Sequence, residues 1–229
     1  MAARLALREL GTTAGDDGAA GRAAELEREI GRVLRREHDR IYGGLAPHTP
    51  PRARGAAAAV KPTWRGGYLV RLELRARPAL ELSNAYAFID EIAAGRDLRE
   101  LALRGEGPLP ARVDHGALGA LEIGGACVSP AVLALLASSL LPRLTRLSLS
   151  GWLGQSKVPS QIARMPLLPQ LRELSLTACG FEDHDLAGFA LRADAFAHLD
   201  ALDLRGHRFS RRAVREAREA LGDALLTGA

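Results

Sequence analysis

The clearest architectural signal in the chain is Leu171-Arg172-Glu173-Leu174-Ser175-Leu176-Thr177-Ala178-Cys179-Gly180-Phe181. Leucine holds the first, fourth and sixth places, cysteine the ninth and an aromatic the eleventh. The two closely spaced leucines alternate with polar residues, as in a strand that buries one face. A strand this short cannot bury its leucines alone. It needs neighbours of its own kind, and the chain supplies them.

Aligning the middle leucine of each L-x-x-L-x-L phrase yields six units. They are Leu69/Leu72/Leu74, Leu98/Leu101/Leu103, Leu118/Leu121/Ile123, Leu144/Leu147/Leu149, Leu171/Leu174/Leu176 and Leu199/Leu202/Leu204. Their middle positions stand 29, 20, 26, 27 and 28 residues apart. A period of about 20–29 residues carrying this phrase marks a leucine-rich repeat. Residues 64 to 209 thus resemble leucine-rich-repeat proteins, with return segments akin to the ribonuclease-inhibitor type. The resemblance implies an α/β solenoid, a curved parallel sheet with helical or irregular returns, whose rungs share one continuous core.

The return segments fit that architecture. Ser129-Pro130 suits a helix start, serine as N-cap and proline in the first turn, and Val132, Leu135, Leu136 and Leu140 follow at helical spacing. Asp183 to Arg192 is predicted as a second helix with Leu186, Phe189 and Ala190 inward. The short gap between the second and third units, holding Pro108 and Pro110, leaves little room for a helix. The segment from Gly151 to Pro159 reads as irregular. Ser210 to Leu221, with Val214, Ala217 and Leu221 as a narrow apolar stripe, is expected to cap the last open core edge.

Ahead of the repeats, residues 1–45 read as a helical region. Leu26, Ile30, Val33, Leu34 and Ile41 fall near one face of a helix from Ala19 to about Tyr42, before Gly43-Gly44. Residues 46–63 carry Pro47, Pro50, Pro51 and Pro62 and read as a Pro/Ala-rich linker or arm. The solenoid is then expected over residues 64–229, with Trp64 and Tyr68 covering its first core edge. This lead-in, Gly43-Gly44-Leu45-Ala46-Pro47, the arm and Trp64-Arg65-Gly66-Gly67-Tyr68, resembles a bacterial, notably myxobacterial, group. In that group a repeat-companion domain precedes the repeats. An early Asp-Trp-Leu segment of the group is absent, so the companion region looks truncated.

Bulk composition narrows the function classes. The chain has 229 residues and a net charge of +4, and only Lys61 and Lys157 among its 31 basic residues are lysines. Arginine with abundant alanine looks like a high-GC bacterial coding bias, and Arg and Glu alternate along most segments. A nucleic-acid binder would gather its basic residues on one face, so no nucleic-acid partner is expected. No run reaches the roughly 20 apolar residues of a membrane span, and the first ten residues lack the apolar core of a signal peptide. Cys127 and Cys179 sit two repeats apart, about 10 Å at strand spacing. That exceeds the reach of a disulfide, about 7 Å. Buried thiols and a cytoplasmic location are expected.

With the leucines inward, the residues between them face the concave surface. The outward positions of the six units hold Arg71, Glu73, Arg75, Glu100, Arg104, Glu122, Arg146, Glu173, Ser175, Asp203 and Arg205, interleaving acid and base. Ser148, Ser150, Ser175 and Thr177 make a hydroxyl-rich patch in units four and five. Trp152 and His207 occupy the slot where the repeat expects Asn or Cys. Trp152 either packs into a neighbouring segment or projects as an anchor, and His207 is expected to donate a ring N–H to a turn carbonyl.

The expected function is non-catalytic protein–protein interaction, a protein partner binding the concave strand face. The alternative is a structural or accessory subunit of a larger assembly. A cysteine-dependent ligase-type effector would need an exposed, low-pKa thiol, and both cysteines sit in core-like slots. Asp183-His184-Asp185 diverge in direction on a helix, so no metal site is expected, and no nucleotide-binding or hydrolase motif implies a cofactor.

Overall fold

In a computed structural model of the protein, each of the six leucine phrases becomes a strand. The structure describes residues 60–65, 68–75, 98–105, 109–125, 129–151 and 158–228. Glu25, Arg28, Glu29, Arg32, Val33 and Arg36 are described too, all of them helical. The strands are β2 (Tyr68–Arg75), β3 (Glu100–Arg104), β4 (Ala120–Gly124), β5 (Arg146–Ser150), β6 (Glu173–Thr177) and β7 (Ala201–Asp203). With β1 (Val60–Arg65) ahead of them and β8 (Leu225–Leu226) behind, they form one eight-stranded sheet in sequence order. The β1–β2 pair is antiparallel and every later pair is parallel. The fold is α/β.

The register follows the leucines. Leu72 pairs with Leu101, Leu101 with Leu121, Leu121 with Leu147, Leu147 with Leu174 and Leu174 with Leu202. The third leucines, with Ile123 among them, align likewise from Leu74 to Leu176. All these side chains are at most 2% exposed. A one-residue slip would turn every leucine to the other face, so burial alone locks the register.

Helices cover the leucine face. These are α1 (Ser129–Ser138), α2 (Val158–Ala163), α3 (Asp183–Ala190), α4 (Ala193–Phe196) and α5 (Arg211–Leu221). Val132, Leu135 and Leu136 of α1, Ile162 of α2, Leu186 and Phe189 of α3 and Ala217 of α5 join the strand leucines in one core. Glu182 and Asp185 close a reciprocal capping box at the start of α3. Residues 109–119 hold no helix, as the short spacing there predicts. Leu140 departs from the expected pattern. It lies beyond the end of α1 and is 67% exposed. No helix among the described residues is long and apolar enough to cross a membrane.

The sheet extends at both ends past the six expected strands. Val60 to Thr63, read as part of the arm, pair with β2. Val60 lies opposite Leu74 and is fully buried, so it closes the first edge of the core. Pro62 is tolerated because an edge strand needs hydrogen bonds on one side only. Trp64 is half-buried and packs against the same core. At the other end α5 carries the stripe expected of it, but the chain then turns at Gly222 and adds β8 beside β7. The rest of the N-terminal helical region, the arm up to residue 59, Cys127 and Trp152 lie outside the described residues.

The turns that leave the strands pack backbone on backbone. A Cβ built on Gly125 would stand 2.4 Å from the carbonyl oxygen of Gly105, and Gly125 has φ of +116°. Gly180 is also left-handed, at +70°, but a Cβ there meets nothing within 4 Å. Gly125→Ala should therefore cost at least about 2 kcal/mol, combining strain and overlap. Gly180→Ala should cost only the backbone term, about 1 kcal/mol. Denaturant melts of the two variants would reveal the difference. Leu174→Asp places an unpaired charge at a site 1% exposed. It should lose more than about 3 kcal/mol in the same measurement, and a smaller loss would show that position 174 relaxes to water.

Candidate functional site

Among the described residues no helix covers the sheet face opposite the leucines, and the strand register sets its side chains in rows. The first row runs Arg71, Glu100, Ala120, Arg146, Glu173, Ala201. The second runs Glu73, Ala102, Glu122, Ser148, Ser175, Asp203. The third runs Arg75, Arg104, Gly124, Ser150, Thr177, with Arg205 just beyond β7. All eleven residues expected to face a partner therefore lie on or beside one surface.

Their chemistry divides that surface in two. Over β2 to β5 the charges form a connected chain. Arg71 donates to Glu100 at 3.0 Å and to Glu122 at 3.1 Å. Arg75 donates to Glu73 at 2.5 Å, and Arg104 bonds Glu122 while its Nε lies 3.6 Å from Glu73. Arg146 donates to Glu100 at 3.2 Å. Two of these links skip a strand, Arg71 to Glu122 across β3 and Arg146 to Glu100 across β4. The skipped strands carry Ala102 and Ala120 there, and a larger side chain would stand in the way. Ala102 is fully buried on this otherwise exposed face because the arginine and glutamate stems close over it.

Over β5 to β7 the surface has a different character. The side chains of Ser148, Ser150, Ser175 and Thr177 make no hydrogen bond among the described residues, and neither does the Glu173 carboxylate. Asp203 is held by Arg205 through Nε at 2.9 Å, Nη2 at 2.8 Å and the backbone N–H at 3.0 Å. A shallow depression of about 190 Å³ spans β2 to β6, with Glu100, Arg146, Ser148, Glu173 and Ser175 among its walls. Leu226 of β8 stands beside Asp203 and is 41% exposed. The sequence pattern missed it because a two-residue strand carries almost no periodicity. Two consecutive leucines after the Gly222 turn were the only signal the sequence offered.

A larger cleft of about 660 Å³ lies elsewhere, between α3 and α5. It is lined mainly by alanines, with Leu191 fully out in solvent at 83%. Its charged groups are spoken for: Asp183 accepts from the Ser210 N–H and Arg212 pairs with Glu216.

In the two units where it is described, the slot before the return segment is structural. Cys179 is buried and its thiol points at the Leu149 carbonyl, 3.6 Å away. One unit later His207 bonds the Leu176 carbonyl at 2.7 Å, and its Nδ1 accepts from the Phe181 N–H at 3.3 Å. That pair of bonds places the ring proton on Nε2. His207 also stacks on Phe181, with ring centroids 5.0 Å apart. No group of three potential metal ligands occurs among the described residues.

No protein-family model matches the chain, and no curated protein matches it. Among solved structures it is similar to a Bacteroides fragilis protein from a structural-genomics consortium. That likeness is 13% in sequence with a TM-score of 0.42, over 90% of this chain and 83% of the other.

The ion chain makes acid a probe of this surface. Burial acts to raise the Glu73 pKa, but the hydrogen bond from Arg75 and the charges of Arg75, Arg104 and Lys61 outweigh it and lower the value. A carboxylate whose folded pKa is depressed adds stability above its unfolded pKa, about 4.3, and loses it as pH falls through the folded value. Glu73→Gln should cost about 0.5–1 kcal/mol at neutral pH. Its melting temperature should also fall less steeply than that of the unaltered protein between about pH 5 and pH 3. Parallel slopes would mean that Glu73 titrates alike in both states.

Proposed function

We propose that the protein is a leucine-rich-repeat solenoid with ribonuclease-inhibitor-type returns. It binds a protein partner on the concave face of its sheet and performs no chemistry of its own. The observation that carries this reading is a strand face that no described helix covers. Leucines and helices build the core on one side, while the other presents ordered rows of charged and hydroxyl side chains. Interleaved acid and base on such a surface favour partner choice and encounter rate more than raw affinity. They also favour a protein over a nucleic acid, which would meet Glu73, Glu100, Glu122 and Glu173 among the arginines. Cys179, reduced and enclosed, suits a cytoplasmic setting.

The ion chain determines which substitutions test this cleanly. Reversing Arg104 or Glu122 would disturb stability and surface together, whereas the Ser175 side chain makes no hydrogen bond among the described residues. Ser175→Arg should leave the melt within about a degree of the parent and abolish retention of the partner in affinity purification from the source cells. Arg212→Ala, on α5, should retain it. Equal capture by the parent and Ser175→Arg would move the binding site off this face.

A further inference from the structure

The β5–β6 half of the strand face carries one solvent-exposed carboxylate, Glu173, that has no ion partner among the described residues. Arg146 stands directly opposite Glu173 in the sheet register, where strands are about 4.8 Å apart. Its guanidinium nonetheless turns the other way, over Ala120, to Glu100. Arg172, the next nearest arginine along the chain, donates to the His198 carbonyl at 3.4 Å. Glu173 is thus left without an ion pair among the described residues, and on its far side the row continues with Ala201, which fills little space.

The carboxylate borders the 190 Å³ depression, together with the hydroxyls of Ser148 and Ser175. The other carboxylates of that depression, Glu100 and Glu122, are neutralised by Arg71, Arg104 and Arg146. Arg71, Arg104 and Arg146 balance Glu100, Glu122 and Glu173 in number, but all three arginines are engaged with Glu100 and Glu122, so the negative charge left without an ion partner among the described residues is local to Glu173. Two hydroxyls that can accept, beside one free carboxylate, match the donors of a guanidinium or ammonium group.

We propose that this depression receives a cationic side chain, an arginine or lysine of the partner, held by the Glu173 carboxylate between the Ser148 and Ser175 hydroxyls. The proposal rests on the strand face being the binding surface, and it identifies which part of that face selects the partner. The β2–β4 ion chain then acts as a rigid wall and contributes little to recognition.

A random peptide display library selected on the intact protein tests this, with Glu173→Gln and Ser175→Arg immobilised in parallel and checked by thermal melts. The expected result is enrichment of peptides carrying arginine or lysine, bound about tenfold or more weakly by Glu173→Gln. Peptides lost on Ser175→Arg but lacking a basic residue, or held equally by Glu173→Gln, would overturn the cationic assignment and leave the strand face as the binding surface. Peptides indifferent to Ser175→Arg would overturn both.

Discussion

Everything in this molecule depends on the stacking of leucines in register from one strand to the next. Each described strand from β2 to β6 has only five to eight residues. Two or three buried side chains, at roughly 1.5–3 kcal/mol each, do not hold so short a strand by themselves. Laid against its neighbours, each leucine contacts the equivalent leucine above and below, and the same contacts fix the hydrogen-bond register. The edges follow from the same requirement. Val60 closes the first and Leu225, opposite Leu202, the last, each fully or nearly buried.

The register does more than build a core. Because equivalent residues align, small side chains at Ala102 and Ala120 become gaps through which arginines reach carboxylates two strands away. A sheet normally pairs charges with the adjacent strand. Here Arg146 passes over its nearest sheet neighbour on the low-numbered side to meet Glu100, and Glu173 on the other side goes without. The division of the polar face into a self-neutralised half and an unsatisfied half comes from two alanines as much as from any charged residue.

The turns obey the same periodicity with different chemistry. Cys179 and His207 each satisfy a carbonyl at the end of the preceding strand, Leu149 and Leu176, which occupy equivalent places in their units. A thiol and an imidazole do one job because the geometry requires only a donor pointing back across one strand spacing. The histidine adds what the cysteine lacks, an acceptor for the Phe181 N–H and a ring to stack on Phe181.

By itself, the sequence determined six of the eight strands, their order and register, most of the inward helix residues and the set of side chains that share the polar face. Each of these follows from local periodicity and from a repeat that brings like residues together. Only the tertiary structure decided which of those side chains are free. Leu140, placed inward by spacing, ends in solvent because α1 stops before it. Val60 and β8, outside the six expected strands, were recruited because an open core edge must be covered. Arg104 and Glu122 read as two exposed charges and turned out to be partners, while Glu173, identical in kind, has no ion partner among the described residues. A side chain's pairing depends on lengths, gaps and competing acceptors across strands some 20 to 50 residues apart. No local pattern encodes that.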